Sequence, residues 1–426
     1  MGLNFFKNTV LLLVLTIFSC GSSTEKKEQR EGIKENQEVR DKNQDDTLTQ
    51  FTMSEAERLS DHKIVVGAEQ FDLYSELLNG KNVGVVANQT SFLESENQHL
   101  VDFLISKKVS VKKVFAPEHG FRGTADAGEH VKDGVDSKTG VPLISLYGSN
   151  KKPSLEQLKG IDVVIFDIQD VGARFYTYIS TLHYVMEACA EAGIPVVVLD
   201  RPNPNGHYID GPILEAENQS FVGMHPIPIV HGMTIAEYAK MINGEGWLKN
   251  SVKCELSVIS MKNYNHKIEY SLPIKPSPNL PNAQSINLYP SLCFFEGTFI
   301  SAGRGTEMQF QVFGAPSLPA SKYNFTYTPQ SNEGAKSPKF KGELCYGKDL
   351  RNEPKLDKIN LEWLIDAYNA NGRKKDFFNS FFVKLAGTKK LQQQIEQGKS
   401  ADEIRATWKK GLNEFGKVRE KYLLYK

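Results

Sequence analysis

Short β-branched runs alternate with helical patterns between residues 81 and 199, and this alternation limits the fold more than any other pattern in the chain. The runs lack a clean alternation of apolar and polar residues, which is typical of strands buried on both faces. They are KNVGVVA (81–87), KVFA (113–116), PLISLY (142–147), DVVIFDI (162–168) and IPVVVL (194–199). Helical patterns lie between them, at 99–107 and at 176–192, and Gly193 follows the second where a helix end favours glycine. The pattern predicts an α/β fold with a parallel sheet and right-handed crossovers.

The length of 426 residues favours two domains over one. A capping-box spacing at 234–237 and an apolar run at 254–259 extend the first domain by a helix and a strand. From about residue 263 the composition changes, and the chain becomes rich in prolines, aromatic residues and glycines. This region ends in helical patterns at 360–368 and 400–422. We therefore predict an α/β domain at 61–262, followed by a smaller α+β domain at 263–426 that completes the site.

The N-terminus predicts export. Residues 1–20 combine one early lysine with an apolar stretch that is about half the ~20 residues of a bilayer-spanning helix. Ile17-Phe18-Ser19-Cys20 resembles a bacterial lipobox, in which the cysteine is lipidated, and the polar, flexible linker at 21–60 cannot bury enough surface to fold. We expect a membrane-anchored lipoprotein, facing the periplasm or in the outer membrane; a cleaved signal with an incidental cysteine is the alternative.

Composition and cysteine spacing exclude several classes of protein. The 51 basic and 51 acidic residues leave no net charge, and a pI near 7.1 gives no sign of a nucleic-acid partner. The four cysteines after Cys20 form no CxxC pair and have no short spacing to histidine, so we expect no metal site. Cys189 falls on the apolar stripe of the helix predicted at 176–192, where it is expected to pack as a small hydrophobe.

The loops that follow the predicted strands are unusually polar. They carry Asn88-Gln89-Thr90, PEHGFRG (117–123), DIQDVGAR (167–174) and DRPN (200–203). In an open parallel sheet such loops meet at one edge and bind ligands there. No G-x-G-x-x-G follows the first strand, so a dinucleotide site is improbable. Carboxylates beside histidine, arginine and asparagine fit sugar chemistry better.

Glu118 is the first candidate for a general acid, because it directly follows an apolar strand where desolvation raises the pKa of a carboxyl group. A helix-capping or ion-pairing role is the alternative. A second carboxylate is needed as base, nucleophile or charge stabiliser, and Asp170 and Glu296 are the candidates. His119 is expected to donate a hydrogen bond to the substrate or to Glu118, or else to satisfy backbone groups. Tyr176, at a predicted helix start, is a candidate to line a sugar face.

Five longer segments together resemble the NamZ family of peptidoglycan-directed exo-β-N-acetylmuramidases. They are PEHGFRG (117–123), DIQDVGARFYTY (167–178), LDRPNPNG (199–206), SPNLP (277–281) and YPSLCFFEGTFISAGRGTE (289–307). The resemblance runs from about residue 62 to the C-terminus. It implies a Rossmann-like catalytic domain, a smaller C-terminal domain, and release of N-acetylmuramic acid from the non-reducing ends of cell-wall fragments. Glu118 matches the catalytic residue proposed for the family.

That substrate adds one requirement to the site. N-acetylmuramic acid carries a lactyl carboxylate that is ionised at pH 7, and arginine is the cation whose geometry suits it best. Arg174, Arg304 and Arg122 are the candidates, in that order, and each has pairing with a neighbouring carboxylate as its alternative. Asn203 and Asn279 are candidates to bind hydroxyl or acetamido groups. Retaining, inverting and acetamido-assisted routes stay open, and none of them requires a metal or an organic cofactor.

Two other functions compete with hydrolysis. A non-catalytic lipoprotein would capture muropeptides or sugars with the same loops, and its signature would be binding without turnover. A nucleotide-dependent oxidoreductase rests on fold analogy alone. The oligomeric state is left open by the sequence.

Overall fold

The protein is described from a computed structural model that covers residues 63–122 and 133–425. Its centre is a seven-stranded sheet in the order β5-β6-β4-β1-β7-β8-β9. The strands are β1 (Asn82–Ala87), β4 (Ser110–Ala116), β5 (Gly134–Val135), β6 (Pro142–Ser145), β7 (Val163–Asp167), β8 (Val196–Leu199) and β9 (Leu256–Ile259). All neighbours pair in parallel except β5, which is antiparallel to β6. A two-residue hairpin, β2 (Phe92–Leu93) with β3 (Gln98–His99), follows β1.

The six parallel strands, counted along the chain, lie in the order 3-2-1-4-5-6, which is the order of a Rossmann fold. The direction of winding reverses between β1 and β7, and ligands bind outside the carboxyl ends of the strands at such a point. The predictions of an α/β class and a Rossmann-like sheet are confirmed. The short antiparallel edge strand β5 was not predicted.

Eleven helices surround or follow the sheet in the described residues. They are α1 (Ser75–Leu78), α2 (Leu100–Ser106), α3 (Leu155–Leu158), α4 (Tyr178–Ala192), α5 (Ile235–Gly244), α6 (Ala283–Leu292), α7 (Glu362–Ala370), α8 (Ser380–Ala386), α9 (Lys390–Glu396), α10 (Ala401–Ala406) and α11 (Lys409–Glu420). Gly193 ends α4 with a φ of 67°, and Thr234 and Glu237 form the capping box of α5, both as predicted. The single helix predicted at 400–422 is wrong: it is divided into α10 and α11.

The residues of the central strands alternate between two cores. Val83, Val85 and Ile165 face one side with α2, while Val86 and Phe166 face the other with α4 and α5. The second core continues without a break into the C-terminal region, and the described residues form one compact unit. That region carries an antiparallel sheet, β10 (Val312–Ala315), β12 (Cys345–Asp349) and β11 (Phe325–Tyr327), in this order. The predicted smaller C-terminal α+β region is confirmed.

Residues 1–62 lie outside the described residues, and with them the predictions of a signal peptide, a lipobox at Cys20 and a linker. In the part of the chain that is described, no helix combines the length and the apolarity that crossing a bilayer requires. The four cysteines there are buried and free, with Cys189 packed in the core on α4 as predicted.

Candidate active site

The carboxyl ends of β1, β4 and β7 bring three polar loops together. The hydroxyl group of Tyr178 joins them: it accepts a hydrogen bond of 2.9 Å from the Asn88 side chain and lies 3.5 Å from the Glu118 carbonyl. It also lies 3.3 Å from the carbonyl of Pro276, which belongs to the C-terminal half. The polar loops therefore meet at one edge of the sheet, as the sequence predicts.

Glu118 lies at the end of β4 with a partly buried side chain. The Thr177 hydroxyl donates a hydrogen bond of 2.9 Å to its carboxylate. A hydroxyl can donate to a carboxylate and accept from a carboxylic acid, so this contact persists when Glu118 gains or loses a proton. Directly after it, the buried His119 has a φ of 70°, an unusual conformation for a residue with a side chain. Such backbone is concentrated at functional sites, because the surrounding structure must compensate for its cost.

Three tyrosines form a wall beside Glu118. The rings of Tyr176 and Tyr178 are 4.8 Å apart, and the ring of Tyr289 is 5.9 Å from that of Tyr176, both edge to face. Burial raises the pKa of all three phenols, so they are neutral at physiological pH. The Tyr176 hydroxyl donates to the Pro276 carbonyl at 2.8 Å, and its ring is mostly covered. The structure thus brings Tyr176 to the site chiefly as part of its wall.

Arg304 and Glu296 bring opposite charges to the same site from the C-terminal half. Glu296 lies on a 3-10 helix, Cys293–Gly297, and its Oε1 is 3.2 Å from Arg304 Nε. About a quarter of each side chain is exposed. Desolvation would lower the pKa of Arg304, but the charge of Glu296, with smaller contributions from Tyr289, Cys293 and Glu118, outweighs it and raises that pKa. Arg304 is therefore a permanent cation that contacts Glu296 and lies within electrostatic range of Glu118.

The backbone conformation on both sides of Arg304 requires glycine. Gly303 and Gly305 both have a φ of 79°, a conformation that glycine adopts at little cost. A Cβ on Gly303 would lie 2.7 Å from the Met308 carbonyl oxygen. The turn that presents Arg304 thus depends on residues without side chains.

Asp170 is buried in the loop after β7. Its carboxylate accepts a hydrogen bond of 2.6 Å from the Gly172 amide, and His231 Nε2 lies 3.8 Å away. Desolvation raises the pKa of Asp170 to about 7. Because the side chain is almost wholly covered, the structure does not place Asp170 where it would activate a water molecule.

Arg174, the first candidate for the lactyl carboxylate, lies elsewhere. It is fully buried, and its guanidinium donates to four backbone carbonyls, those of Pro212, Ile227, Leu385 and Ala386, at 2.6–3.1 Å. Burial lowers its pKa to about 9, so it is still charged at neutral pH. The prediction that Arg174 binds the lactyl carboxylate is therefore wrong. Arg174 instead joins the end of α8 to the loops of the sheet domain.

Replacing Arg174 with methionine is expected to lower the free energy of unfolding by more than about 3 kcal/mol, since each buried acceptor that loses its donor costs about 1–3 kcal/mol. Chemical denaturation of both proteins measures the difference. Lys390→Met is the local control, because that exposed lysine pairs with Glu215 at the surface nearby and should matter far less. Equal effects of the two changes would contradict the structural role of Arg174.

Three predicted residues remain, Arg122, Asn203 and Asn279, and each makes contacts within the protein. Arg122 forms a two-point ion pair with Asp136, at 3.2 and 2.9 Å. The Asn203 amide is occupied, since it donates to the Met233 carbonyl and accepts from the Asn205 amide. Asn279 donates to the Gly334 carbonyl at 2.7 Å, and its buried Oδ1 has no partner among the described residues. The unpartnered Oδ1 of Asn279 is covered by the surrounding protein, so the structure does not open it to a ligand.

Sequence reasoning gave no role to Thr177, Tyr289 and Lys339. Tyr289 and Thr177 stand inside motifs of the family resemblance, which is the signal that could have found them. Lys339 lies in a segment without a motif. Asp167, interpreted from the sequence as structural, forms a buried ion pair with Arg201 at 2.5 Å. Residues 63–122 and 133–425 contain no cluster of side chains able to hold a metal ion.

Comparisons with known proteins show what the chain is similar to. Two family models match, described as exo-beta-N-acetylmuramidase NamZ, N-terminal, over residues 83–284 and C-terminal over residues 287–425. The peptidoglycan beta-N-acetylmuramidase NamZ of Bacillus subtilis (strain 168) is 41% identical over 372 residues, which are 83% of this chain and 89% of that protein.

Two crystal structures of DUF1343 family proteins from Bacteroides fragilis are also similar. The first has a TM-score of 0.79 and 48% identity, over 85% of this chain and 99% of the other. The second has a TM-score of 0.74 and 30% identity, over 86% and 100%. Because the family models together span most of residues 83–425, the resemblance read from the motifs is confirmed, and the chain belongs to the NamZ family.

Proposed function

We propose that this protein is an exo-β-N-acetylmuramidase, a glycosidase that releases N-acetylmuramic acid from the non-reducing ends of peptidoglycan fragments. The relative from Bacillus subtilis, named for that activity, supports this reaction. The observation that carries the proposal is the arrangement at the sheet edge, where Glu118 lies against Thr177 and within electrostatic range of Arg304. A glycosidase needs a carboxylic acid at the scissile bond, and a substrate with a carboxylate needs a cation nearby.

In this proposal Glu118 is the general acid. As the glycosidic bond breaks, its carboxyl group gives a proton to the leaving oxygen, so that the leaving group departs as a neutral alcohol. Water supplies the hydroxyl group that replaces it at the anomeric carbon, either directly or after attack by a carboxylate or by the substrate's own acetamido group. The Thr177 hydroxyl holds the carboxyl group in one orientation through both protonation states. The tyrosine wall, whose rings are almost wholly covered, keeps water from one side of the carboxyl group.

Arg304 is the residue that we assign to the lactyl carboxylate. Glu296 contacts it through Nε, and no hydrogen bond among the described residues uses its two terminal nitrogens. Those nitrogens form the fork that binds a carboxylate at two points. Arg174 has no such donors left, and the fork of Arg122 is taken by Asp136. Glu296 then orients Arg304, and Asp170 holds the loop after β7 through the Gly172 amide.

The reaction is tested with the purified wild-type protein and two chromogenic β-glycosides, one of N-acetylmuramic acid and one of N-acetylglucosamine. Release of the chromophore is expected to be far faster from the first than from the second, because only the first sugar carries the lactyl carboxylate. If N-acetylmuramic acid binds but neither glycoside is cleaved, the protein is a capture lipoprotein and the hydrolase proposal fails.

We also propose that the protein is exported and anchored to a membrane through a lipid on Cys20. The lipobox-like Ile17-Phe18-Ser19-Cys20 and the polar sequence after it support this location, which brings the enzyme to its cell-wall substrate. A cell fed an alkyne-tagged fatty acid is expected to label the wild type but not Cys20→Ser. The variant should also leave the membrane fraction; an unlabelled wild type would contradict the anchor.

A further inference from the structure

The side chain of Lys339 ends in a ring of backbone carbonyls beside the site. Its Nζ lies 2.7 Å from the oxygen of Thr298, 2.9 Å from that of Phe295 and 3.1 Å from that of Ile300. The backbone carbonyl oxygen of Glu296 is 3.5 Å from the same Nζ. An ammonium group has three N–H donors, so the three shorter contacts account for all of them. Such a set of oxygens around one positive charge is the environment of a bound monovalent cation, here supplied by a side chain.

The carbonyls belong to the segment that carries the charged residues of the site. Residues 295–300 begin in the 3-10 helix that bears Glu296 and lead into the turn that bears Arg304. Carbonyls at a helix C-terminus lack partners within the helix and attract cations. Lys339 follows the end of the nearest motif, at Glu307, by 32 residues, yet its three N–H donors all bind this stretch of backbone.

Charges alternate from Lys339 into the site. Lys339 is within electrostatic range of Glu296, which contacts Arg304, which in turn lies within range of Glu118. Desolvation lowers the pKa of Lys339, and the charge of Glu296 acts against that shift. Loss of the ammonium would therefore remove its hydrogen bonds to residues 295–300, whose remaining backbone contacts include those with Phe377 and Asn379, and leave Glu296 with one cation fewer.

We propose that Lys339 is a positioning residue, a tethered cation that holds residues 295–300 so that Glu296 and Arg304 keep their places against Glu118. This inference rests on the role proposed above for Arg304. It implies that the ring of carbonyls becomes a binding site for a free primary ammonium ion once the side chain is cut back. Lys339→Ala removes three carbons and the nitrogen, which together correspond to n-propylammonium.

The test uses Lys339→Ala and Lys339→Met, with Lys322→Ala as the control because that lysine is half exposed and pairs with Asp366 at the surface. Lys339→Ala is expected to lose about 10- to 100-fold in kcat/KM on the N-acetylmuramic acid glycoside, mostly through KM, since a small misplacement of a binding group costs this much. n-Propylammonium should restore most of the loss. Tetramethylammonium, which has no N–H donor, should restore none, and Lys339→Met should not respond because methionine fills the space.

Three results would overturn the inference: wild-type kinetics in Lys339→Ala, no response of a folded Lys339→Ala to n-propylammonium, or equal rescue by tetramethylammonium. If Lys339→Ala does not fold, Lys339→Gln keeps amide donors without the charge, and an unchanged KM in that variant would count against the proposal. Wild-type turnover, measured alongside, tests the proposed function separately. Should the wild type be inactive, a rise in the unfolding temperature of Lys339→Ala with n-propylammonium still tests the cation site.

Discussion

Replacing Glu118 with glutamine is expected to lower kcat on a natural N-acetylmuramic acid disaccharide by about 100- to 10,000-fold, the usual contribution of a general acid. Glutamine has the shape of glutamate, and its side-chain oxygen can still accept the hydrogen bond from Thr177, so the site should keep its form. What it lacks is a proton that it can give to the leaving oxygen. KM should therefore change little while kcat falls.

Substrates with different leaving groups show whether Glu118 acts as a general acid. A dinitrophenyl glycoside leaves as a stable anion and needs little protonation, so Glu118→Gln should lose far less activity on it than on the disaccharide. Glu307→Gln is the matched control, since that exposed glutamate lies near Arg304 in the same loop and should leave both rates unchanged. An equal loss on both substrates would show that Glu118 acts in some other way than as an acid.

The fold could be predicted largely from local pattern. Strands such as β1 and β7 are buried on both faces, and burial of that kind leaves an uninterrupted apolar run that can be seen in the sequence. The division between α10 and α11 could not be seen, because the capping box at Ser400 marks where a helix begins while the apolar stripe continues past its end. The strand β5 has two exposed residues, too few for any periodicity.

The sequence predicted which polar loops form the site, but it did not predict the role of each residue in them. Glu118 and the polar loops follow strands, so the topology alone brings them to one edge. Arg174 and Arg304, in contrast, both stand in polar, glycine-containing motifs and look equivalent. Their difference lies in distant backbone: the carbonyls of residues 212, 227, 385 and 386 enclose one guanidinium, and nothing local marks those four as its acceptors. Lys339 escaped notice for the same reason, because its partners are main-chain oxygens.

Removing the charge of Arg304 is expected to abolish the preference for N-acetylmuramic acid. In Arg304→Met, kcat/KM for the N-acetylmuramic acid glycoside should fall by about 30- to 1,000-fold, because truncating one partner of a desolvated charge pair costs about 2–4 kcal/mol. The rate on the N-acetylglucosamine glycoside, which has no lactyl carboxylate, should change much less. The ratio of the two kcat/KM values therefore measures recognition of the carboxylate itself.

Two further variants test which arginine binds the lactyl carboxylate. Arg351→Met removes an exposed guanidinium that pairs only with Asp349 among the described residues, and it should leave the ratio as in the wild type. Arg122→Met breaks the pair with Asp136 and tests the rival assignment directly. If Arg122→Met removes the preference and Arg304→Met does not, the lactyl carboxylate binds at the β4 loop and the role given to the Glu296–Arg304 pair is wrong. If Arg304→Met slows both glycosides equally, Arg304 serves the reacting centre through Glu118 rather than the lactyl group, since a loss common to both sugars cannot come from a group that only one of them carries.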